Sequence, residues 1–593
     1  MINYKLKTPF GENLPEIPLD RHPRPQLRRD IWQNLNGEWD FAIYKAGELF
    51  GGYKNKIIVP FSPESVLSGV QQTVLPQDMA YYRRTFEFQR VRDVVLLHFG
   101  AVDYRCVVYL NGTLVGKHRG GYFPFSFNIS DVVKDGENVL EVKVVDPSDT
   151  GVQAFGKQKL RRGGIWYTAQ SGIWQTVWIE QTVSNLVRGI RFTPDVDKST
   201  ITVELDYNEK KEGFMFYIKT EIGELRVSSP GPKLVLDLSG MLRLWSPEEP
   251  FLYRAKVVTV SGDSFDTYFA MRKISVEKVG KFTRIMLNNK PYFQKGLLDQ
   301  GYWCDGMYTA PSDEAMIYDI KTMKSMGFNM LRKHIKIEPL RWYYHCDRLG
   351  MLVWQDVVSG GVIKDNGIRR EYPGYEKLTG KKKIGKIPTD TEKNYTLLGR
   401  ENASGRKEYN RDLVDTVQLL YNNPCVVMWV PFNESWGQFD SAKATETVLS
   451  MDKTRLVDSA SGWFDQGCGS VNSLHNYRKK PWYPRYGGNK DKRALVLSEC
   501  GGLTYSPGAE HVYDTVKKCG YRGFKDADSC TKALVALQKR FKKAIKKNGL
   551  CAYVYTQVSD VEEELNGLLS YDRKVVKVDA NKIKEANDKL IIE

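Results

Sequence analysis

The 593-residue chain contains no apolar run approaching the ~20 residues that a membrane-spanning helix needs. Its opening, Met1-Ile-Asn-Tyr-Lys-Leu-Lys-Thr, has none of the apolar stretch of a signal peptide. Both absences make a soluble, cytoplasmic protein with no membrane partner the expectation. There is no C-x-x-C pair: nine cysteines lie scattered at 106, 304, 346, 425, 468, 500, 519, 530 and 551. The odd count, with several inside apolar runs, reads as reduced structural thiols and excludes a disulfide framework. Basic runs interleaved with aromatics, an RNA-recognition signature and zinc-finger spacing are all missing. The net charge of +16 is therefore no nucleic-acid footprint; it suits acidic substrates or simple solubility. Low-complexity segments and short-period repeats are absent too.

What is present divides the chain. Its length exceeds one core and implies about three or four domains. Aromatics make up 12%, with 13 Trp and 33 Tyr, a supply that suits stacking on sugar C–H faces as well as large β cores. Residues 1–185 read as an all-β sandwich: runs such as Val94-Val-Leu-Leu-His-Phe and Cys106-Val-Val-Tyr-Leu end in turn signals such as Asn111-Gly and Gly120-Gly. Residues 186–276 continue with short strands at immunoglobulin-like spacing, without a Cys pair. Neither segment shows a cluster of His, Cys or carboxylates, so both are expected to be supports or carbohydrate contacts.

Over 277–593 strands alternate with amphipathic helical stretches such as Asp313 to Met326 and Ser529 to Lys547. Eight strands can be counted, beginning near Lys295, Phe328, Met351, Val426, Arg455, Val471, Ala494 and Ala552, which predicts a (β/α)8 TIM barrel. Two glutamates each follow a buried-strand run, Cys425-Val-Val-Met-Trp-Val-Pro-Phe-Asn-Glu434 and Ala494-Leu-Val-Leu-Ser-Glu499. Two carboxyls at the ends of parallel strands can flank one bond, the arrangement glycoside hydrolysis requires. The alternative for either alone is a structural ion pair. Arg332, His334, Asp356, Asn433, His475 and Tyr477 fall just past strands as well, where this fold builds its sites.

With Asn34-Leu-Asn-Gly-Glu-Trp-Asp-Phe, Val108-Tyr-Leu-Asn-Gly, Ser171-Gly-Ile-Trp-Gln-Thr-Val-Trp, Gly327-Phe-Asn-Met-Leu-Arg332-Lys-His334, Asn433-Glu434, Ser498-Glu499 and Tyr571-Asp-Arg in order, nearly the whole chain resembles glycoside hydrolase family 2. The family comprises β-galactosidases, β-glucuronidases and β-mannosidases. The resemblance implies a jelly-roll sugar-binding domain, an immunoglobulin-like sandwich and a catalytic TIM barrel. It also implies a retaining exo-β-glycosidase, with Glu499 as nucleophile and Glu434 as acid/base. Asn433 would bind the substrate 2-hydroxyl, Tyr477 orient the nucleophile, and Arg332 and His334 organise the barrel floor. Tyr555 would form an aromatic platform under the sugar, and Trp436 would shield Glu434. Trp166 stands on a loop that carries an acidic residue in some relatives. Asp356 either serves the site or anchors a loop, and His475 is expected to be a satisfied supporting residue.

Departures from the family limit the substrate. Where many β-glucuronidases place an Asn-x-Lys motif, this chain has Asn566-Gly-Leu568, which favours neutral β-galactosides over uronides unless another cation serves. The magnesium-binding His and carboxylate set of some β-galactosidases is not matched, so no metal and no cofactor are expected. A segment of about 45 residues from Gly360 to Gly405, with Ile368-Arg-Arg370 and Lys381-Lys-Lys383, reads as a surface loop, an oligomer contact or a basic rim. The Lys539 to Lys547 stretch reads as an outer barrel helix. The expected partner is a carbohydrate, with homo-oligomerisation left open. A non-catalytic carbohydrate-binding protein is the alternative of another class.

Overall fold

In this computed structural model, residues 5–220, 223–362, 389–481, 483, 491–514 and 519–592 are described. Residues 363–388, with the two basic runs of the long segment, lie outside them.

The N-terminal sandwich packs a six-stranded antiparallel sheet on a four-stranded one. Alternation in Gly136–Val145, with Leu140, Val142 and Val144 inward, is the period-2 pattern that makes one face core. The second sandwich packs a three-stranded on a four-stranded sheet, around Phe192, Val203, Phe216, Val257 and Phe269. Arg29, 3% exposed, ties the two together: it donates to Glu180 at 2.9 Å, to Asp263 at 2.8 Å and to the Val187 carbonyl at 2.6 Å. Removing one member of such a buried charge network costs about 3–5 kcal/mol, because the others lose their partner.

The barrel strands are β1 (Gln294–Asp299), β2 (Met330–Lys333), β3 (Leu352–Asp356), β4 (Val426–Val430), β5 (Leu456–Val457), β6 (Val471–Asn476), β7 (Ala494–Gly501) and β8 (Leu550–Thr556). They form one sheet in the order β5-β4-β3-β2-β1-β8-β7-β6 with every pair parallel, a (β/α)8 barrel nearly closed. Strands flanked on both faces read as unbroken apolar runs, and all five residues of β4 are buried. Helix ends follow local chemistry. Ser312 caps Asp313–Ser325 by accepting from the Ala315 amide, and Gly350 stops Leu340–Leu349 at φ +72°, a backbone that glycine adopts without penalty. Lys539 to Lys547 lies in the outer helix Ala527–Asn548, whose Leu534, Leu537, Phe541 and Ile545 face the barrel. Among the described residues no helix is long and apolar enough to cross a membrane.

One loop of the first sandwich reaches the barrel mouth. The amides of Phe155 and Gly156 donate to the Ser359 carbonyl beyond β3 at 3.1 and 3.0 Å. Gly156 has φ +64°, and a Cβ there would lie 3.1 Å from the Ile335 carbonyl and 2.8 Å from the Tyr308 hydroxyl, so the close approach requires glycine.

Candidate active site

The end of β4 turns sharply. After Pro431, the pair Phe432–Asn433 runs parallel to Ala460–Ser461, and then Glu434 and Ser435 adopt left-handed backbone, φ +51° and +66°. That conformation costs a non-glycine residue about 1–2 kcal/mol. It is held by the Glu434 amide donating to the Ser461 carbonyl at 3.0 Å. The turn leaves the Glu434 side chain 18% exposed, the accessible carboxyl of the pair.

Glu499 comes from β7, where the register to β6 shifts between Leu474 and His475 and the register to β8 shifts between Leu497 and Cys500. Such irregularities re-aim side chains. His475 thereby stands opposite Glu499. Its Nδ1 lies 2.7 Å from Glu434 Oε1 and 3.4 Å from Glu499 Oε2, and its Nε2 lies 2.9 Å from the Ser461 hydroxyl. In the tautomer protonated at Nδ1, it donates between the two carboxyls while Ser461 donates to Nε2. His475 has a partner at each ring nitrogen, as expected of a supporting residue, and it touches both glutamates. One oxygen of each glutamate and the imidazole nitrogen lie within 4.8 Å of one another.

Beneath them Arg332, completely buried, is fixed on every side. It grips Asp356 with Nε and Nη2 at 2.9 and 3.0 Å, Asn433 Oδ1 at 2.8 Å, Glu499 Oε1 at 3.2 Å and the Ser498 carbonyl at 3.1 Å. Asp356 also meets His334 Nδ1 at 2.8 Å. It stands behind Arg332 and His334, bonded to both. With its oxygen engaged by Arg332, the Asn433 amide is oriented to donate from Nδ2. Tyr477 donates to Glu499 Oε2 at 2.5 Å, and its ring stacks on Tyr521 at 3.7 Å, interplanar angle 7°.

Charge follows geometry. Burial alone would raise the Glu499 pKa. The neighbouring His475, Arg332 and His334 and the Tyr477 hydroxyl outweigh it and hold the carboxyl at about 2, so it is charged at neutral pH. Burial lowers the His334 pKa, and the bonded Asp356 carboxylate works against it. Glu434, His475 and Glu499 form a donor set that could hold a cation, but Glu499 already has the Arg332 guanidinium as its counter-charge.

Trp436 packs edge to face on Trp166 from the sandwich, centroids 5.3 Å apart, forming one wall of the mouth. Tyr555 does not join the cluster. It is completely buried, and its ring packs so closely on Gly501 that a Cβ there would lie 2.3 Å away. It offers no face to a sugar, which corrects its expected role as a platform. Two residues bonded or stacked on the cluster, Ser461 and Tyr521, escaped the sequence reading. Ser461 and Tyr521 follow no apolar run that would flag them.

An eight-stranded barrel behind two sandwiches, with a carboxyl pair at the C-terminal ends of β4 and β7, has the architecture of a three-domain glycosyl hydrolase. Comparison with known proteins agrees. The profile for "Glycosyl hydrolases family 2, TIM barrel domain" matches residues 278–518, and that for "Glycosyl hydrolase 2 galactose-binding domain-like" matches residues 63–176. The chain belongs to glycoside hydrolase family 2. A β-galactosidase of Thermoanaerobacter pseudethanolicus is 23% identical over 408 residues, covering 64% of this chain and 48% of the relative. A β-glucuronidase of Streptococcus agalactiae is 22% identical over 427 residues, covering 68% and 66%. The chain spans between 27% and 66% of the length of such curated relatives. The structure of a family 2 β-galacturonidase from Eisenbergiella tayi bound to galacturonate superposes with a TM-score of 0.69 at 19% identity, covering 96% of this chain and all of that one.

Proposed function

We propose that the chain is a retaining, exo-acting β-glycosidase that hydrolyses terminal β-D-hexopyranosides by double displacement. The observation that carries this reading is the separation of Glu434 and Glu499, with an oxygen of each within 4.8 Å. Covalent retention needs carboxyls about 5–5.5 Å apart, whereas inversion needs about 6.5–9.5 Å to admit a water between them.

In the first step a Glu499 oxygen attacks the anomeric carbon, the bond to the leaving oxygen breaks, and Glu434 gives that oxygen its proton. In the second, Glu434 takes a proton from water, the water oxygen attacks the anomeric carbon, and the bond to Glu499 breaks. Asn433 Nδ2 donates to the sugar 2-hydroxyl, a contact that strengthens as positive charge develops at the anomeric centre. Arg332 and Tyr477 hold the nucleophile in line and charged. The Trp166–Trp436 wall across the mouth fits an enzyme that takes chain ends.

The absence of a lysine at Leu568 favours neutral β-galactosides, but Lys157 on the sandwich loop favours a uronide. Initial rates on matched p-nitrophenyl β-galactoside, β-glucuronide, β-galacturonide and β-mannoside, each beside its α-anomer, test the reading. Turnover of a β-glycoside and none of its α-anomer is expected. No turnover of any β-glycoside would leave the non-catalytic carbohydrate-binding protein as the better account.

A further inference from the structure

A carboxylate-bearing sugar needs a cation at this mouth that is not already committed. Arg332 is committed, since all its bonds go to Asp356, Asn433, Glu499 and a carbonyl. Lys333 holds Asp299 and Glu338, each at 2.8 Å, and Lys336 shares Glu338 at 2.9 Å. Arg162 lies against Glu562 and Glu563. Lys157 differs. It is only 8% exposed, yet among the described residues no carboxylate lies within 4 Å of its ammonium. Instead the ammonium sits 5.7 Å from the Trp166 ring and 5.8 Å from that of Tyr167, within cation–π range of both.

Its placement is rigid and directed at the site. The preceding Gly156 is wedged against the Ile335 carbonyl, one residue past His334, and its amide is bonded to Ser359, three residues past Asp356. The Lys157 carbonyl accepts from the Tyr167 amide at 2.9 Å. Trp166, under the ammonium, is the ring that meets Trp436, two residues past Glu434. The ammonium is also close enough to lower the pKa values of both His334 and Glu564, although burial is the larger influence on each and raises that of Glu564. Glu564 also accepts from the Tyr167 hydroxyl and Asn566 Nδ2, so the lysine is not its only partner.

We infer that Lys157, presented across the domain boundary by the sandwich loop, binds the carboxylate of a terminal β-uronoside and takes the place of the lysine missing at Leu568. The inference rests on the glycosidase reading above and names its substrate class. A point charge flanked by two aromatic rings suits an anionic oxygen, because the low-dielectric surroundings strengthen the attraction and disfavour leaving the charge unpaired.

The test compares wild type with Lys157→Met and Lys157→Arg on p-nitrophenyl β-glucuronide, β-galacturonide and β-galactoside, with thermal melts to confirm folding. The ratio of kcat/KM for the preferred uronide to that for the galactoside is expected to fall on the order of 10²-fold in Lys157→Met. Lys157→Arg should keep part of it. Which uronide leads identifies the 4-hydroxyl configuration accepted. An unchanged ratio, or a wild type that cleaves the galactoside and neither uronide, overturns the inference while leaving the glycosidase reading intact. Calorimetric binding of free glucuronate, galacturonate and galactose decides the matter independently of turnover. Wild type should prefer a uronate and Lys157→Met should lose that preference, whereas equal binding of uronate by both proteins overturns the inference even if no glycoside is hydrolysed.

Discussion

Glu499→Gln is expected to lower kcat on aryl β-glycosides by about 10⁴-fold or more, with binding of the sugar retained. Glutamine is nearly isosteric: its carbonyl oxygen can accept from Arg332 while its NH2, in place of Oε2, donates to the Tyr477 hydroxyl oxygen, so the pocket keeps its shape while the attacking anion is lost. The effect is large because the nearby Asp356, clamped by Arg332 and His334, is not free to replace it. The same variant reports on charge. The folded-state pKa of about 2 lies below the unfolded value of about 4.3. The carboxylate therefore contributes stability that is fully present above pH ~4.3 and is lost as pH falls through the folded value. Denaturant unfolding between pH 7 and 3 should show a flatter acid limb for Glu499→Gln than for wild type. A residual rate near that of wild type would remove Glu499 from the nucleophile's role.

Glu434→Ala should act selectively. General acid catalysis is worth about 10²–10⁴-fold, and it is needed most where the leaving oxygen is basic. Alkyl β-glycosides should lose that full factor in kcat/KM, and 2,4-dinitrophenyl glycosides, whose leaving group needs no proton, much less. Deglycosylation then becomes slow, because no base is left to activate water. Azide needs no deprotonation and should restore turnover, giving the β-glycosyl azide as product. In this variant His475 keeps Ser461 at Nε2 and Glu499 near Nδ1, which holds its ring away from the place Glu434 vacates. Equal losses on both leaving groups, with no azide rescue, would assign Glu434 a structural role.

Much of this was legible in the amino-acid order, for a physical reason. Parallel strands buried on both faces must be apolar throughout, so Val426–Val430 and Ala494–Leu497 announce themselves, and a carboxylate at the end of such a run stands out. The barrel and both catalytic candidates follow from that contrast. Tyr555 shows its limit. Which way a strand residue faces depends on register, and the shifts at Leu474/His475 and Leu497/Cys500 change that facing without any sign in composition. Lys157 shows a second limit. Among the described residues no carboxylate lies within 4 Å of its ammonium, and its contact with Trp166 is made by a loop with no periodicity. Chain order carries neither.

The central claim is double displacement by Glu434 and Glu499, and the anomer first released tests it most directly. Proton NMR of the hydrolysis of whichever β-glycoside the enzyme turns over fastest should show the β-sugar first, with the α-anomer growing in only at the rate of mutarotation. Release of the α-sugar first would mean single displacement with inversion and would contradict the account.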